Sequence, residues 1–249
     1  MPKFAANISL MFDELPYLDR FDAASEAGFD AVEILFPYDW PAQETRHALA
    51  RNQLALVLIN APPPNYAGGE PGFAALPGGE VRFERDIRRT MRYADLLKAK
   101  FVHIMSGKAE GDTAMAIFVR NLQWAADAYP AQHFTIEPLN PDDQPGYFLN
   151  SYDLAARVLD AVDRPNVNLQ YDAYHAQKIH ADALAVWGEH GARAAHIQIG
   201  DTPDRRAPLT GEIDFNALFQ AIDDSGYDGW VSGEYHPRGR TQKTLAWMR

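Results

Sequence analysis

Four oxygen donors close four successive apolar runs in the second half of the chain. The runs are Phe134-Thr135-Ile136-Glu137, Asn168-Leu169-Gln170-Tyr171-Asp172, Ala195-His196-Ile197-Gln198-Ile199 and Trp230-Val231-Ser232-Gly233-Glu234. Carboxylates are normally excluded from the end of an apolar strand, because charge taken out of water must be compensated. Three that converge uncompensated would repel one another and be partly protonated. A divalent cation resolves the conflict. Glu137, Asp172 and Glu234, with the amide oxygen of Gln198, form an oxygen-rich set that favours Mg²⁺ or Mn²⁺ over zinc or copper. One such acid alone reads as a rim salt bridge. All four donors, three acids and one amide, at equivalent positions read as a site.

Other polar groups cluster around these donors. His175 lies three residues after Asp172, within reach of the same site, although alone it would pass as a structural histidine. His196 is two residues before Gln198 and shares its strand face at a deeper level, which reads as a packing or supporting role. His103 reads the same way. Arg205 sits in Asp201-Thr202-Pro203-Asp204-Arg205-Arg206. Either it holds an anionic substrate through its bidentate fork or it is a solvated loop charge. Lys108 is a weaker candidate of that kind.

Something must bring the four run ends together. Eight short apolar runs recur in order: Phe4 to Leu10, Ala31 to Phe36, Leu54 to Ile59, Phe101 to Met105, His133 to Ile136, Val167 to Tyr171, Ala194 to Ile199 and Trp230 to Tyr235. Each has the length of a buried strand. Helical stripes lie between them. Leu15, Leu18, Phe21, Ala24 and Ala27 form one, stopped by Gly28, and Ile87, Met91, Ala94 and Leu97 another. Ser151 reads as an N-cap before Leu154, Ala155, Val158 and Leu159. Phe215, Leu218, Phe219 and Ile222 repeat the pattern up to Gly226, and a short helix is expected from near Arg240. Strands alternating with helices imply parallel pairing, and eight such units close into a (β/α)₈ barrel. An open doubly wound sheet fits less well, since no Gly-x-Gly-x-x-Gly follows the first run. Residues 1–249 read as a single barrel domain. In that fold the chemistry lies where strands end. The long Pro- and Gly-rich connection 61–80 follows the third strand on that face and reads as a lid.

Composition narrows the function. Of 249 residues, 23 are Lys or Arg and 34 are Asp or Glu, giving a net charge of −11. Such a chain lacks the field that attracts a phosphate backbone, so no nucleic-acid partner is expected. There is no cysteine, hence no disulfide, thiolate nucleophile or zinc–thiolate site, which fits a cytoplasmic protein. The opening Met1-Pro2-Lys3-Phe4-Ala5-Ala6-Asn7 turns polar too early for a signal peptide, and no apolar run is long enough to span a bilayer.

With these residues in place the chain resembles the hydroxypyruvate isomerase family, among the xylose-isomerase-like barrels that also include the tagatose and psicose 3-epimerases. The matching motifs are Ile136-Glu137-Pro138-Leu139-Asn140, Asp172-Ala173-Tyr174-His175, His196-Ile197-Gln198-Ile199 and Gly233-Glu234-Tyr235. Phe29-Asp30-Ala31-Val32-Glu33-Ile34, Phe36-Pro37-Tyr38 and Thr210-Gly211-Glu212-Ile213 add support, so the likeness runs nearly end to end. The resemblance implies a metal held by Glu137, Asp172, Gln198 and Glu234, with the two glutamates also acting as the acid–base pair. His175, Arg205, Asp143 and Glu70 match substrate-contacting positions. The implied reaction interconverts hydroxypyruvate and tartronate semialdehyde by proton transfer through a cis-enediolate. The sequence departs from the family at Arg206-Ala207-Pro208-Leu209 and at Gly69-Glu70-Pro71-Gly72, both where substrate is chosen. An isomerase or epimerase of a longer substrate, a 2-oxo-tetronate or a ketose, is therefore the nearest alternative. A metal-dependent phosphodiesterase or nuclease on the same fold is the alternative of another class. A small hydroxy-oxo acid or sugar is the expected partner, with no membrane; a homo-oligomer is left open.

Overall fold

The computed structural model describes residues 2–61 and 71–248. Eight parallel strands form a closed barrel in chain order: β1 (Lys3–Asn7), β2 (Ala31–Ile34), β3 (Ala55–Asn60), β4 (Phe101–His103), β5 (His133–Ile136), β6 (Val167–Asp172), β7 (Ala194–Ile199) and β8 (Trp230–Gly233). β1 closes the ring on β8, with Phe4 opposite Val231 and Ala6 opposite Gly233. The outer helices are α1 (Asp19–Glu26), α2 (Ala42–Arg51), α3 (Glu80–Leu97), α4 (Gly111–Ala128), α5 (Tyr152–Val162), α6 (Ala173–His180), α7 (Ala183–His190) and α8 (Phe215–Asp224). The final helical segment, Thr241–Met248, is short and of 3₁₀ type. Among the described residues no helix is long and apolar enough to cross a membrane.

The expected stripes face the core, but the first is helical only from α1 onward: Leu15 and Leu18 pack on the core from the turns before Asp19. Ile87, Met91, Ala94 and Leu97 of α3 are all buried, and burying a side chain of this size contributes about 1.5–3 kcal/mol. Ser151 caps α5 by accepting the Leu154 N–H at 3.2 Å, a contact worth about 1 kcal/mol. Some apolar runs outlast their strands. The first leaves the sheet at Asn7, whose carbonyl accepts the Met11 N–H at 2.8 Å and turns the chain before Leu10 can pair. The fourth pairs only through His103 and gives way to a loop at Met105.

The barrel interior has two zones. Ala5, Ala31, Val57 and Phe101 pack an apolar plug at the amino ends of the strands, with Trp230 against it. Above it, toward the carboxyl ends, Asn7, Glu33, Asn60, His103, Thr135, Gln170, His196 and Ser232 are all buried.

The expected lid falls partly on residues 62–70, which lie outside the described residues. Its second half, residues 71–79, is pinned to the barrel. Ala74 and Ala75 are fully buried. The Ala75 N–H donates to the Ser106 carbonyl at 2.7 Å, and Asn121 donates to the Ala74 carbonyl at 2.8 Å.

Candidate active site

Period-two alternation along β5 to β8 stacks two residues per strand on the inner face. Thr135, Gln170, His196 and Ser232 form the lower tier. Glu137, Asp172, Gln198 and Glu234 form the upper one. Glu137, Asp172 and His175 each present a ligand atom within 4.8 Å of the others. Glu234 joins them through Arg205. That guanidinium donates from Nη2 to Asp172 Oδ2 and to Glu234 Oε2, the latter at 2.7 Å.

Local structure explains how each group is aimed. Asp172 ends β6 and is also the N-cap of α6: its Oδ1 accepts the Tyr174 N–H at 2.8 Å and the His175 N–H at 3.4 Å, leaving Oδ2 toward the site. Arg205 stands on a left-handed turn, φ +51°, and its Nε donates to the Glu234 carbonyl at 3.1 Å. The buried Asp201 braces the turn. It accepts the N–H groups of Thr210, Gly211 and Ile213 at 3.0, 2.7 and 3.1 Å. A Cβ at Gly211 would collide with the Thr202 carbonyl. The Thr210-Gly211-Glu212-Ile213 motif thus folds the loop that carries Arg205.

Electrostatics mark the site. Burial pushes the Glu137 carboxyl well above its ordinary value; Asp172 and Glu234 add repulsion and Arg205 opposes it. Burial raises Glu234 to about 8 against the pull of Arg205. Burial also works against the charge of Arg205, but Asp172, Glu234 and Glu137 outweigh it and raise its pKa. His175 is lowered well below its usual value, by burial first and Arg205 second. The Asn140 backbone N–H reaches His175 Nδ1 at 3.0 Å, so Nδ1 is the acceptor and the neutral ring carries its proton on Nε2. Nε2 faces Glu137 Oε1 at 3.8 Å and Asp172 Oδ2 at 3.9 Å. Arg205 Nη1 lies 2.9 Å from the same nitrogen. Two N–H groups meet there, a contact a substrate oxygen would relieve.

The residues singled out from sequence therefore converge, with three qualifications. Gln198 reaches the group through Gln170, whose Nε2 donates to Gln198 Oε1 at 2.6 Å and to Glu137 Oε2 at 2.9 Å. Asp143 faces the wall beside His175 and accepts from Asn140 Nδ2 at 2.9 Å and the Tyr174 hydroxyl at 2.8 Å. Those two bonds outweigh its burial and lower its pKa. Glu70 lies outside the described residues. His103 is a buried supporting group, 3.6 Å from Glu137 Oε2, and burial takes its pKa down to about 3. Arg205 is built into the site, which excludes the solvated-loop reading.

Glu33 escapes the sequence reading as a functional residue. It is fully buried on β2. Its place between Val32 and Ile34 inside an apolar run is the signal that singles out the strand-end acids, and it applies equally here. Gln170, two residues before Asp172, is the other.

The donor set fits a hard divalent ion. Three buried carboxylates meet there, burial and mutual repulsion raise the pKa values of Glu137 and Glu234, and an amide oxygen stands beside them. Residues 21–249 match the family of xylose isomerase-like TIM barrels. The chain is 43% identical to a 2-oxo-tetronate isomerase of Cupriavidus necator over 255 residues, covering 100% of this chain and 98% of the relative. It is 37% identical to the hydroxypyruvate isomerase of Escherichia coli over 254 residues, covering 100% and 98%. The crystal structure of a Brucella melitensis protein named AP endonuclease, family 2, superposes with a TM-score of 0.95 at 42% identity, covering 100% of this chain and 98% of that one.

Proposed function

The chain belongs to the xylose isomerase-like TIM barrel family, and we propose that it is a divalent-metal-dependent isomerase of small 2-oxo-3-hydroxy acids. 2-Oxo-tetronate and hydroxypyruvate are both of that class and differ only in the substituent on C3. The observation that carries the proposal is the pair of buried glutamates, Glu137 on the β5 end and Glu234 on the β8 end, flanking Asp172 within reach of Arg205 and His175. The four-carbon acid is the first substrate assignment, supported by the 43% relative of that name. Hydroxypyruvate is the second, supported by the 37% relative.

Glu137, Asp172, Gln198 and Glu234 would hold Mg²⁺ or Mn²⁺. When bound, the ion would supply Lewis-acid stabilisation of the negative charge that builds on the two substrate oxygens. One glutamate takes the proton from the hydroxyl-bearing carbon and the other returns a proton to the adjacent carbon by way of a cis-enediolate, while the hydroxyl proton passes from the C3 oxygen to the C2 oxygen. Burial raises both carboxyls above the ordinary range, Glu234 to about 8, which suits groups that must both take and give a proton. Arg205 meets the substrate carboxylate with its fork, and His175 donates its Nε2–H to a substrate oxygen. Asp143 with Tyr174 sets the wall behind His175. A phosphodiesterase, as the name of the Brucella protein suggests for that protein, would call for histidine-rich ligation and a basic surface. The carboxylate set and the net charge of −11 favour proton transfer on a small acid.

The test is solvent exchange. With Mg²⁺ or Mn²⁺ in D₂O, a 2-oxo-tetronate and hydroxypyruvate should isomerise with solvent deuterium at the carbon that receives the proton. A chelator should abolish the reaction and added metal restore it. Undiminished turnover after exhaustive chelation would refute the metal requirement, and no exchange on any 2-oxo-3-hydroxy acid would refute the activity. Asp172→Asn keeps a competent N-cap for α6, so it should weaken metal binding without unfolding the protein. Asp142→Asn, whose partner is the Lys178 ammonium at 2.9 Å on the surface, should do little.

A further inference from the structure

Below the site, a chain of hydrogen bonds crosses the barrel from β2 to β5. Glu33 Oε1 accepts from Gln198 Nε2 at 2.8 Å and from Asn7 Nδ2 at 2.8 Å, and its Oε2 accepts from His196 Nε2 at 2.6 Å. Gln198 Oε1 accepts from Gln170 Nε2 at 2.6 Å, and the same nitrogen donates to Glu137 Oε2 at 2.9 Å. Gln170 Oε1 accepts the Thr135 hydroxyl at 2.9 Å. All of these side chains are buried.

The chemistry of the two ends permits one orientation of both amides. A carboxylate only accepts. Glu33 therefore requires the NH₂ end of Gln198, which turns the amide oxygen away from β2. The Gln198 oxygen can only accept, so it requires the NH₂ end of Gln170, which leaves the Gln170 oxygen for Thr135. Flipping Gln198 would set oxygen against the Glu33 carboxylate and nitrogen against the Gln170 nitrogen. In a buried network each such mismatch leaves groups of both partners unsatisfied, which holds one state.

We infer that Glu33 is a positioning residue: from the far side of the barrel it fixes Gln198 as an oxygen donor and, through Gln170, aims Glu137. A neutral or apolar residue at 33 would leave Gln198 free to present nitrogen, which no cation accepts as a ligand. Glu33 acts through the two amides, while Asn7 and His196 hold its carboxylate in place. This rests on the metal reading of the site proposed above.

The test is Mn²⁺ affinity, measured by electron paramagnetic resonance on folded protein without substrate. Glu33→Gln keeps the shape and removes the acceptor-only constraint. It should keep native circular dichroism and weaken Mn²⁺ binding by about 10–100-fold, the usual cost of losing a partner that orients a ligand. In a Gln198→Ala background the same change should alter affinity by less than about twofold, because its target is gone. Affinity within about twofold of wild type in the single variant, or an equal loss in both backgrounds, would overturn the inference and leave the metal reading intact. Failure of the wild type itself to bind Mn²⁺ would overturn both. Should Glu33→Gln not fold, the unaltered protein labelled with ¹³C,¹⁵N-glutamine decides. Mg²⁺ should shift the Gln198 side-chain carbonyl while its NH₂ protons stay protected from solvent exchange, and rapid exchange of those protons in loaded protein would overturn the inference.

Discussion

The two halves of the barrel obey one folding rule and put it to different uses. In β5 to β8, each strand carries a second polar residue past its buried inner one, so Glu137, Asp172, Gln198 and Glu234 reach the mouth. In β1 to β4 the series stops one level lower, at Asn7, Glu33, Asn60 and His103. Those four support the second half: Glu33, held by Asn7, grips His196 and Gln198 across the barrel, and His103 links Asn60 to Glu137 on the neighbouring strand at 3.3 and 3.6 Å. On the proposed reading one half offers ligands and proton carriers and the other orients them. A closed barrel allows this division, because residues far apart in sequence face each other across a narrow, water-poor interior.

The comparison is tested hardest in the second half. Glu137→Gln and Glu234→Gln keep the side-chain shape and an oxygen for metal, yet neither can carry the proton. Each should lower kcat by about 10²–10⁴-fold, with binding of a substrate analogue falling far less. Steady-state rates on metal-loaded variants check this. Near wild-type turnover in either variant would reduce that glutamate to a structural group and move half of the proton transfer elsewhere.

A smaller effect should follow from Arg205→Ala, which removes the donor assigned to the substrate carboxylate. It should raise KM for the 2-oxo acids by about 10–100-fold, the range for losing about 1.5–3 kcal/mol of charged hydrogen bonding. The effect on a neutral ketose, if one is turned over, should be smaller. Equal losses on acidic and neutral substrates would mean that Arg205 holds the loop 201–213 rather than the carboxylate. The division of labour would then lie within the second half, with the loop carrying shape and the strands carrying charge.

What sequence can reveal of this division follows from physics. The upper tier is legible because a carboxylate at the end of an apolar run is anomalous by itself, and three such anomalies with an amide between the last two define a ring. The helices are legible where stripes are complete, as along Ile87, Met91, Ala94 and Leu97. Glu33 carries the same anomaly, but it stands alone in its half, and a lone buried acid has no partner that sequence distance reveals: Gln198 lies 165 positions away. The turn that delivers Arg205 is equally opaque. It depends on Asp201 gathering three backbone N–H groups, and hydrogen-bond direction is a property of the folded loop. Strand ends at Asn7 and His103 escape the sequence because hydrophobicity continues where pairing stops.

The smallest effect is expected on the outer ring of the first half, where the division predicts a contribution to stability alone. Asp22 of α1 accepts from Arg51 Nη2 at 2.7 and 2.9 Å and from Asn52 Nδ2 at the end of α2. The Asn52 bond, then the Arg51 bonds, hold its pKa below the ordinary carboxylate value. A lowered folded-state pKa stabilises the protein above the unfolded-state value of about 3.9, and that contribution is lost as pH falls through the folded-state value. The Arg51 and Asp22 side chains are 60% and 44% exposed, so solvent screening limits the pair to less than about 1 kcal/mol. Asp22→Asn should therefore lower the urea midpoint slightly at pH 7 and leave kcat and KM unchanged. The two midpoints should converge as pH is taken below about 4, where wild type loses what the variant never had. A gap that persists or widens in acid would show that the substitution disturbs the α1–α2 contact by shape rather than by charge. A fall in kcat would connect the outer ring of the first half to the chemistry of the second, which the division does not allow.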